Sequence, residues 1–488
     1  MKPLALQAMW HRVRALALGA AVLLLGACST TRPWINQPVA ASAAPAAAQP
    51  PAMVPVMDPG AAAGSPIVAA VALSGGGARA AAFGLGVLEE LKATRFEIDG
   101  RETTLLDEVG LISGVSGGSI LAGYYAAFGD EVFTRFEHDF LLVNFQSHLL
   151  RDMASPSTLH KLTSPWWGRS DALREHLDRV FRGTTFGDLR ARNARLRLLV
   201  TATDLTTGAP FEFTPEQFAL ICSDFDSVPL SFAVAASSSV PLLLSPMTVR
   251  NYGGSCPPVA ADDDRTTQRN LAARLRHLIA MSYRDSAERP YIHLVDGGLV
   301  DNLGVRGLLD RAVSRGSLAA GFAGMAPGSV RHIVLISVNS ERDTADRIDQ
   351  SDRVPGTAQV LDSLVFGAGS RLTTETTAML DDAARRLSQE LEDERGRPGS
   401  PFAPDAEIHL INVSLRDLHD PSLRHLLLRV PTALTIAPGQ ARKLRAAGRL
   451  ALRESEAFQR LRRSLAADDG LTAANAVPED AGAKAVNP

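Results

Sequence analysis

Ile67 to Leu73 (IVAAVAL) is apolar at every position, and Ala78 to Lys92 (ARAAAFGLGVLEELK) follows with helical character. The first run predicts a short strand buried on both faces, the second a helix laid over it. The alternation recurs. Gly110 to Val115 is another apolar run, and Gly117 to Phe128 behind it is again helix-like. Further strand-like runs stand at Leu196–Ala202, Tyr291–Val295, His332–Val338 and Glu407–Val413. Strands alternating with helices predict an α/β fold, with a mostly parallel central sheet and helices on both faces. This domain is expected over residues 67 to 430, followed by a helical segment at 431–465. Residues 466–488 carry too few apolar anchors to be held, which predicts a disordered tail.

Two stretches depart from the pattern. Residues 251 to 290 hold Cys256, Pro257, Pro258 and Asp262 to Asp264. A basic amphipathic stretch follows, with Arg269, Arg274 and Arg276 beside Leu271, Leu275, Leu278 and Ile279. They read as an insertion or lid, whose helix either covers the core or touches anionic lipid. Residues 29 to 66 are rich in Ala and Pro and nearly free of charge, which predicts an extended spacer.

The N-terminus carries a processing signal. Lys2, Arg12 and Arg14 precede the apolar run Ala15–Ala27. Thirteen helical residues reach only about 20 Å, short of a hydrocarbon core of roughly 30 Å, as in a signal peptide. The run ends Leu25-Gly26-Ala27-Cys28, which resembles a bacterial lipobox. Residues 1–27 are therefore expected to be removed and Cys28 lipidated, with residues 28–66 as tether. An ordinary cleaved signal with an incidental cysteine is the competing reading. Ser29, where an aspartate would favour inner-membrane retention, points to the outer membrane, facing the periplasm.

Composition narrows the class. The 488 residues are 45% hydrophobic and 21% charged, enough for a sizeable core. Fifty Lys+Arg against 53 Asp+Glu leave a net charge of −3, with no electrostatic footprint for nucleic acid. Three cysteines cannot build a disulfide scaffold, and the sequence leaves open whether Cys222 and Cys256 pair. No His, Cys or Asp cluster has metal-ligand spacing, and no cofactor is expected.

Three short segments carry candidate chemistry. Gly114-Val115-Ser116-Gly117-Gly118 lies between an apolar run and a helical one, the context of a nucleophile elbow. A plain glycine-rich turn is the alternative. Ser74-Gly75-Gly76-Gly77-Ala78-Arg79 follows the first strand and exposes successive N–H groups, a nest for phosphate or an oxyanion. It matches neither GxxxxGK[ST] nor GxGxxG, so the oxyanion reading ranks higher. Asp296-Gly297-Gly298 ends the run YIHLV. A carboxylate at a strand's C-terminal end sits where open α/β sheets place their sites, although Asp-Gly-Gly alone is most often a turn.

Taken in order, SGGGAR, GVSGG and DGG resemble the patatin-like phospholipases, acyl hydrolases with a Ser–Asp dyad. Thr203-Asp204-Leu205-Thr206-Thr207-Gly208 and Ala235-Ala236-Ser237-Ser238-Ser239-Val240-Pro241 strengthen the resemblance, which covers residues 67 to 305. It implies Ser116 as nucleophile and Asp296 as general base. It also implies Gly75, Gly76 and Gly77 as the oxyanion loop, with Arg79 as its basic neighbour. Ala80 stands where the family usually has glycine. A Ser–His–Asp triad is the competing arrangement, since His332, His409 and His425 all follow Asp296. The expected activity is hydrolysis of fatty-acyl esters of membrane phospholipids or lysophospholipids through an acyl-enzyme. The alternative is a catalytically inactive lipoprotein that binds lipid or an envelope protein.

Overall fold

The computed structural model describes residues 29–39, 65–98, 100–193, 195–256, 271–309, 317–342, 352–363 and 368–475. The signal segment, Cys28 and the last thirteen residues lie outside them. Strand β1 (Ile67–Leu73) leads through a glycine loop into α1 (Gly77–Ala93). A small antiparallel ribbon, β2 (Arg95–Ile98) and β3 (Arg101–Thr104), precedes β4 (Val109–Gly114) and α2 (Gly117–Phe128). Then come β5 (Arg197–Asp204), β6 (Pro210–Glu212), α3 (Leu230–Ser237) and β7 (Met247–Arg250). After α4 (Leu271–Arg284) follow β8 (Tyr291–Asp296), β9 (Val330–Asn339), α5 (Ala368–Glu394) and β10 (Phe402–Ser414). The chain closes with α6 (Pro438–Glu454) and α7 (Glu456–Asn475).

The main sheet has the order β10-β9-β1-β4-β5-β8-β7, with β6 added to β5. From β10 to β5 every pairing is parallel. Alternate residues of β1 feed opposite cores. Ile67, Ala69, Val71 and Leu73 meet Phe83, Leu121 and Leu444 on one side. Val68 and Ala70 meet Phe322, Leu391 and Phe402 on the other. A strand covered on both faces has no solvent side to code for, hence its uninterrupted apolar sequence.

The last strands run the other way. β8 is antiparallel to β5 and β7, with Ala202 opposite Asp296 and Arg250 opposite Tyr291. Residues 251–290 are thus the connection of an antiparallel pair, closed at its base where Asn251 N–H donates to the Pro290 carbonyl at 2.9 Å. Within it Tyr283 is fully buried and its hydroxyl donates to Asp204, so α4 does cover the core. It also leaves Leu271, Leu275, Leu278 and Met281 exposed. Cys222 and Cys256 form a disulfide, Cα to Cα 5.9 Å, that ties this connection to the domain.

Two boundaries differ from expectation. Residues 29–39, expected to be spacer, are seated on the domain. Trp34 packs against Phe232 with ring centroids 4.5 Å apart, and Asn36 donates to Ser223 and the Arg250 carbonyl. The apolar Trp34 and the fully buried Asn36 give this stretch the anchors that the Ala/Pro tract behind it lacks. Helix α7 runs to Asn475, ten residues beyond the expected end of helical structure. Its Phe458, Leu461 and Leu465 are buried, so its first half is held by packing and the helix propagates from there. Among the described residues no helix is long and apolar enough to cross a membrane.

Candidate functional site

Strand β4 ends at Gly114 and α2 begins at Gly117, leaving two residues to reverse the chain. Ser116 takes φ 51° and ψ −122°, a conformation disfavoured for a residue with a Cβ. Its surroundings hold it there. The Ser116 N–H donates to Ser237 Oγ at 2.9 Å, and Ser237 Oγ–H donates to the Thr201 carbonyl at 2.7 Å. The result is the sharp strand-to-helix turn expected of a nucleophile elbow, with Ser116 Oγ at the N-terminus of α2, where the helix dipole carries partial positive charge.

Asp296 reaches this hydroxyl from the opposite chain direction. Ser116 Oγ–H donates to Asp296 Oδ2 at 2.9 Å, while Asp296 Oδ1 accepts from the Gly298 N–H at 2.8 Å. The Asp296 backbone is fixed as well. Its N–H donates to the Ser239 carbonyl and its carbonyl accepts from Thr203 Oγ1, so both segments that strengthened the resemblance brace the carboxylate. Asp296 lies at the C-terminal end of its strand, as expected, but this strand does not continue the parallel set. β8 descends antiparallel beside β5, so the strand end that carries Asp296 lies alongside Ala202. Burial pushes the Asp296 carboxyl up to about 6, against the opposing hydrogen bonds from Gly298 and Ser116.

The glycine loop closes the third side. Gly77 has φ +61°, and a Cβ there would lie 2.2 Å from the Ala433 carbonyl oxygen. A Cβ on Gly117 would lie 2.0 Å from the Gly77 carbonyl oxygen, so the loop and the elbow touch through their backbones. The loop N–H groups are not equivalent. Gly75 N–H donates to the Asn302 carbonyl at 2.9 Å and is therefore committed. Among the described residues the N–H groups of Gly76 and Gly77 have no protein acceptor, which narrows the expected oxyanion donors to these two. Arg79 staples the loop from below: its Nε donates to the Ser340 carbonyl and its guanidinium to the Val430 carbonyl, both at 2.8 Å. Burial and the neighbouring Arg342 lower Arg79 to about 9, so it stays charged at neutral pH. Ala80 is buried in the first turn of α1, and its N–H still reaches the Gly76 carbonyl, so the departure from glycine leaves the loop intact.

A single cleft is lined by Ser116, Asp296, the loop, Asn302, Arg342 and Thr432. Glu341 and Ser370 also line it and are hydrogen-bonded to each other. No described residue of the 251–290 connection lines it, and no described histidine does. His332 and His409 lie on β9 and β10 near the far end of the parallel strands, and His425 is exposed on a separate helix. Sequence reasoning missed Ser237, Asn302 and Asp301. Asp301 is buried and accepts from the Gly304 and Arg306 N–H groups, which shapes the loop behind the base.

Among known protein families, residues 71–309 match the patatin-like phospholipases. No curated protein matches the chain in sequence. Similar solved structures include human GIVD cytosolic phospholipase A2, 12% identical, covering 86% of this chain and 63% of that one, with a TM-score of 0.43. The same human enzyme in complex with methyl gamma-linolenyl fluorophosphonate is 12% identical, with coverage of 86% and 60% and a TM-score of 0.38. The chain thus spans under two thirds of these neighbours' length. With a mostly parallel sheet flanked by helices and the family's segments in order along it, residues 71–309 form a patatin-like phospholipase domain.

Proposed function

We propose that this protein is a serine acyl hydrolase of phospholipids or lysophospholipids, working through a Ser116–Asp296 dyad. The observation that carries this reading is the 2.9 Å hydrogen bond from Ser116 Oγ to Asp296 Oδ2 in a cleft lined by no described histidine. Ser116 Oγ attacks the ester carbonyl as Asp296 accepts its proton. The N–H groups of Gly76 and Gly77 stabilise the oxyanion, a contribution of about 2.7–4 kcal/mol per donor in such sites. Asp296 returns the proton to the departing alcohol. Water then enters, gives a proton to Asp296 and attacks the acyl carbonyl, and Asp296 returns that proton to Ser116 Oγ as the fatty acid leaves. The Arg342 guanidinium at the cleft suits a substrate that carries a phosphate.

The membrane is the proposed location, through lipidated Cys28 on the outer membrane facing the periplasm. The Cys222–Cys256 disulfide suits an oxidising compartment. Ser29 N–H donates to Thr163 Oγ1 and the Arg32 guanidinium lies over the exposed Trp166 ring, so the first described residues after Cys28 are docked on the domain. An anchor there would hold the domain against the bilayer. The test is acyl-ester hydrolysis by purified Ser116→Ala and Asp296→Asn proteins. Loss of at least 1000-fold in both supports the dyad; full activity in either overturns it.

A further inference from the structure

Far from the dyad, near the other end of the parallel strands, five polar side chains meet. Glu407 and His409 are two residues apart on β10 and share one face. His332 on β9 is the register partner of Glu407. Helix α7 crosses this edge and contributes Ser464 and Asp468, one turn apart. We propose that His332 Nδ1, His409 Nε2 and the Glu407 carboxylate bind one zinc-like divalent transition metal, with Asp468 orienting His332.

The distances carry the assignment. His332 Nδ1 lies 3.3 Å from His409 Nε2, and His409 Nε2 lies 3.3 Å from Glu407 Oε2. Tetrahedral ligands at about 2.0–2.1 Å from zinc stand about 3.3–3.4 Å apart. One ligand atom from each of the three residues falls within 4.8 Å of the others. The outer partner is present too. His332 Nε2 lies 2.9 Å from Asp468 Oδ2, which fixes the proton on that nitrogen and turns the Nδ1 lone pair toward the site. Ser464 Oγ donates to Glu407 Oε2 at 2.8 Å and steadies the third ligand. His332 is 3% exposed while the Glu407 side chain is 50% exposed, so the site has a rigid floor and an open entrance. Two histidines and one carboxylate leave a fourth position for water and select zinc over magnesium or calcium. The consequence is mechanical. The metal would clamp β9 to β10, and through Asp468 and Ser464 it would hold α7 on the sheet. The same contacts without metal form a proton-sharing chain from Asp468 to Glu407, so the experiment must separate the two.

The full chain, stripped by dialysis against a chelator, is titrated with zinc sulfate against a chromogenic chelator, and Tm is recorded alongside. The expected result is one zinc per chain and a Tm that rises with zinc but not with equal magnesium. Glu407→Gln, at an exposed position where the fold is retained, should weaken zinc binding at least tenfold. Asp468→Asn should weaken it 10–100-fold, and His332→Ala with His409→Ala should abolish it. Ser116→Ala should bind as wild type. Substoichiometric zinc in the wild type, or unchanged affinity in Glu407→Gln and the double variant, overturns the proposal and leaves the proton-sharing chain.

Discussion

Ser116 and Asp296, 180 residues apart in sequence, meet through one hydrogen bond of 2.9 Å from Oγ to Oδ2. Neither side chain is positioned by its own strand alone. Ser116 is held by Ser237 beneath it, and Asp296 by Ser239, Thr203 and Gly298 around it.

Asp296 must be ionised to accept a proton, and burial raises it to about 6. The kcat/KM of ester hydrolysis should therefore rise through pH 6 along a single-proton limb and level off above it. Asp296→Asn should remove the limb along with the activity. A wild-type limb near pH 7 that survives in Asp296→Asn would point to a histidine instead.

The same burial has a stability cost of opposite pH sense. A carboxyl whose folded pKa is raised is tolerated when neutral, and its stabilising contribution is lost as pH rises through about 6. Asp296→Asn should therefore leave stability unchanged near pH 4 and raise it at pH 8. The shift from the ordinary value bounds the gain at about 3 kcal/mol. Denaturant midpoints at the two pH values read the sign.

Ser237→Ala removes the acceptor for the Ser116 N–H and the donor to Thr201. A buried N–H left unsatisfied costs about 1–3 kcal/mol. The variant should lose about that much stability, and kcat should fall more than KM changes, because the elbow relaxes. A Ser237→Thr variant, which keeps the hydroxyl, should recover part of kcat.

Gly77→Ala puts a methyl 2.2 Å from the Ala433 carbonyl at a positive φ. The loop must shift, and the oxyanion donors shift with it. Loss of about 100-fold in kcat is expected, the scale of one missing donor. Gly439→Ala, whose Cβ meets nothing within 4 Å, is the matching control and should be neutral.

Much of this architecture was legible in the sequence. Local motifs carry local geometry: the apolar run of β1 specifies a buried strand, and the glycine loop and the GxSxG segment each specify a turn that the chain then makes. Strand direction was not legible, because Tyr291–Asp296 reads the same whether it pairs parallel or antiparallel. The committed Gly75 N–H was hidden for a similar reason, since its acceptor, Asn302, lies 227 residues away. Ser237 lies in a run of three serines, and nothing local marks which of them accepts from the Ser116 N–H. The seating of residues 29–39 depends on Trp34 and Asn36, two residues in a stretch whose composition otherwise predicts no fold. His332 and His409 stand in separate strand-like runs 77 residues apart, and only the β9–β10 register brings them together.

The most direct test is covalent labelling with an alkyl fluorophosphonate, read by mass spectrometry of the peptide that contains Ser116. The dyad predicts one adduct per chain on Ser116 in the wild type, none in Ser116→Ala, and labelling at least 100-fold slower in Asp296→Asn. An adduct on another residue, no adduct on folded wild-type protein, or undiminished labelling in Asp296→Asn would contradict it.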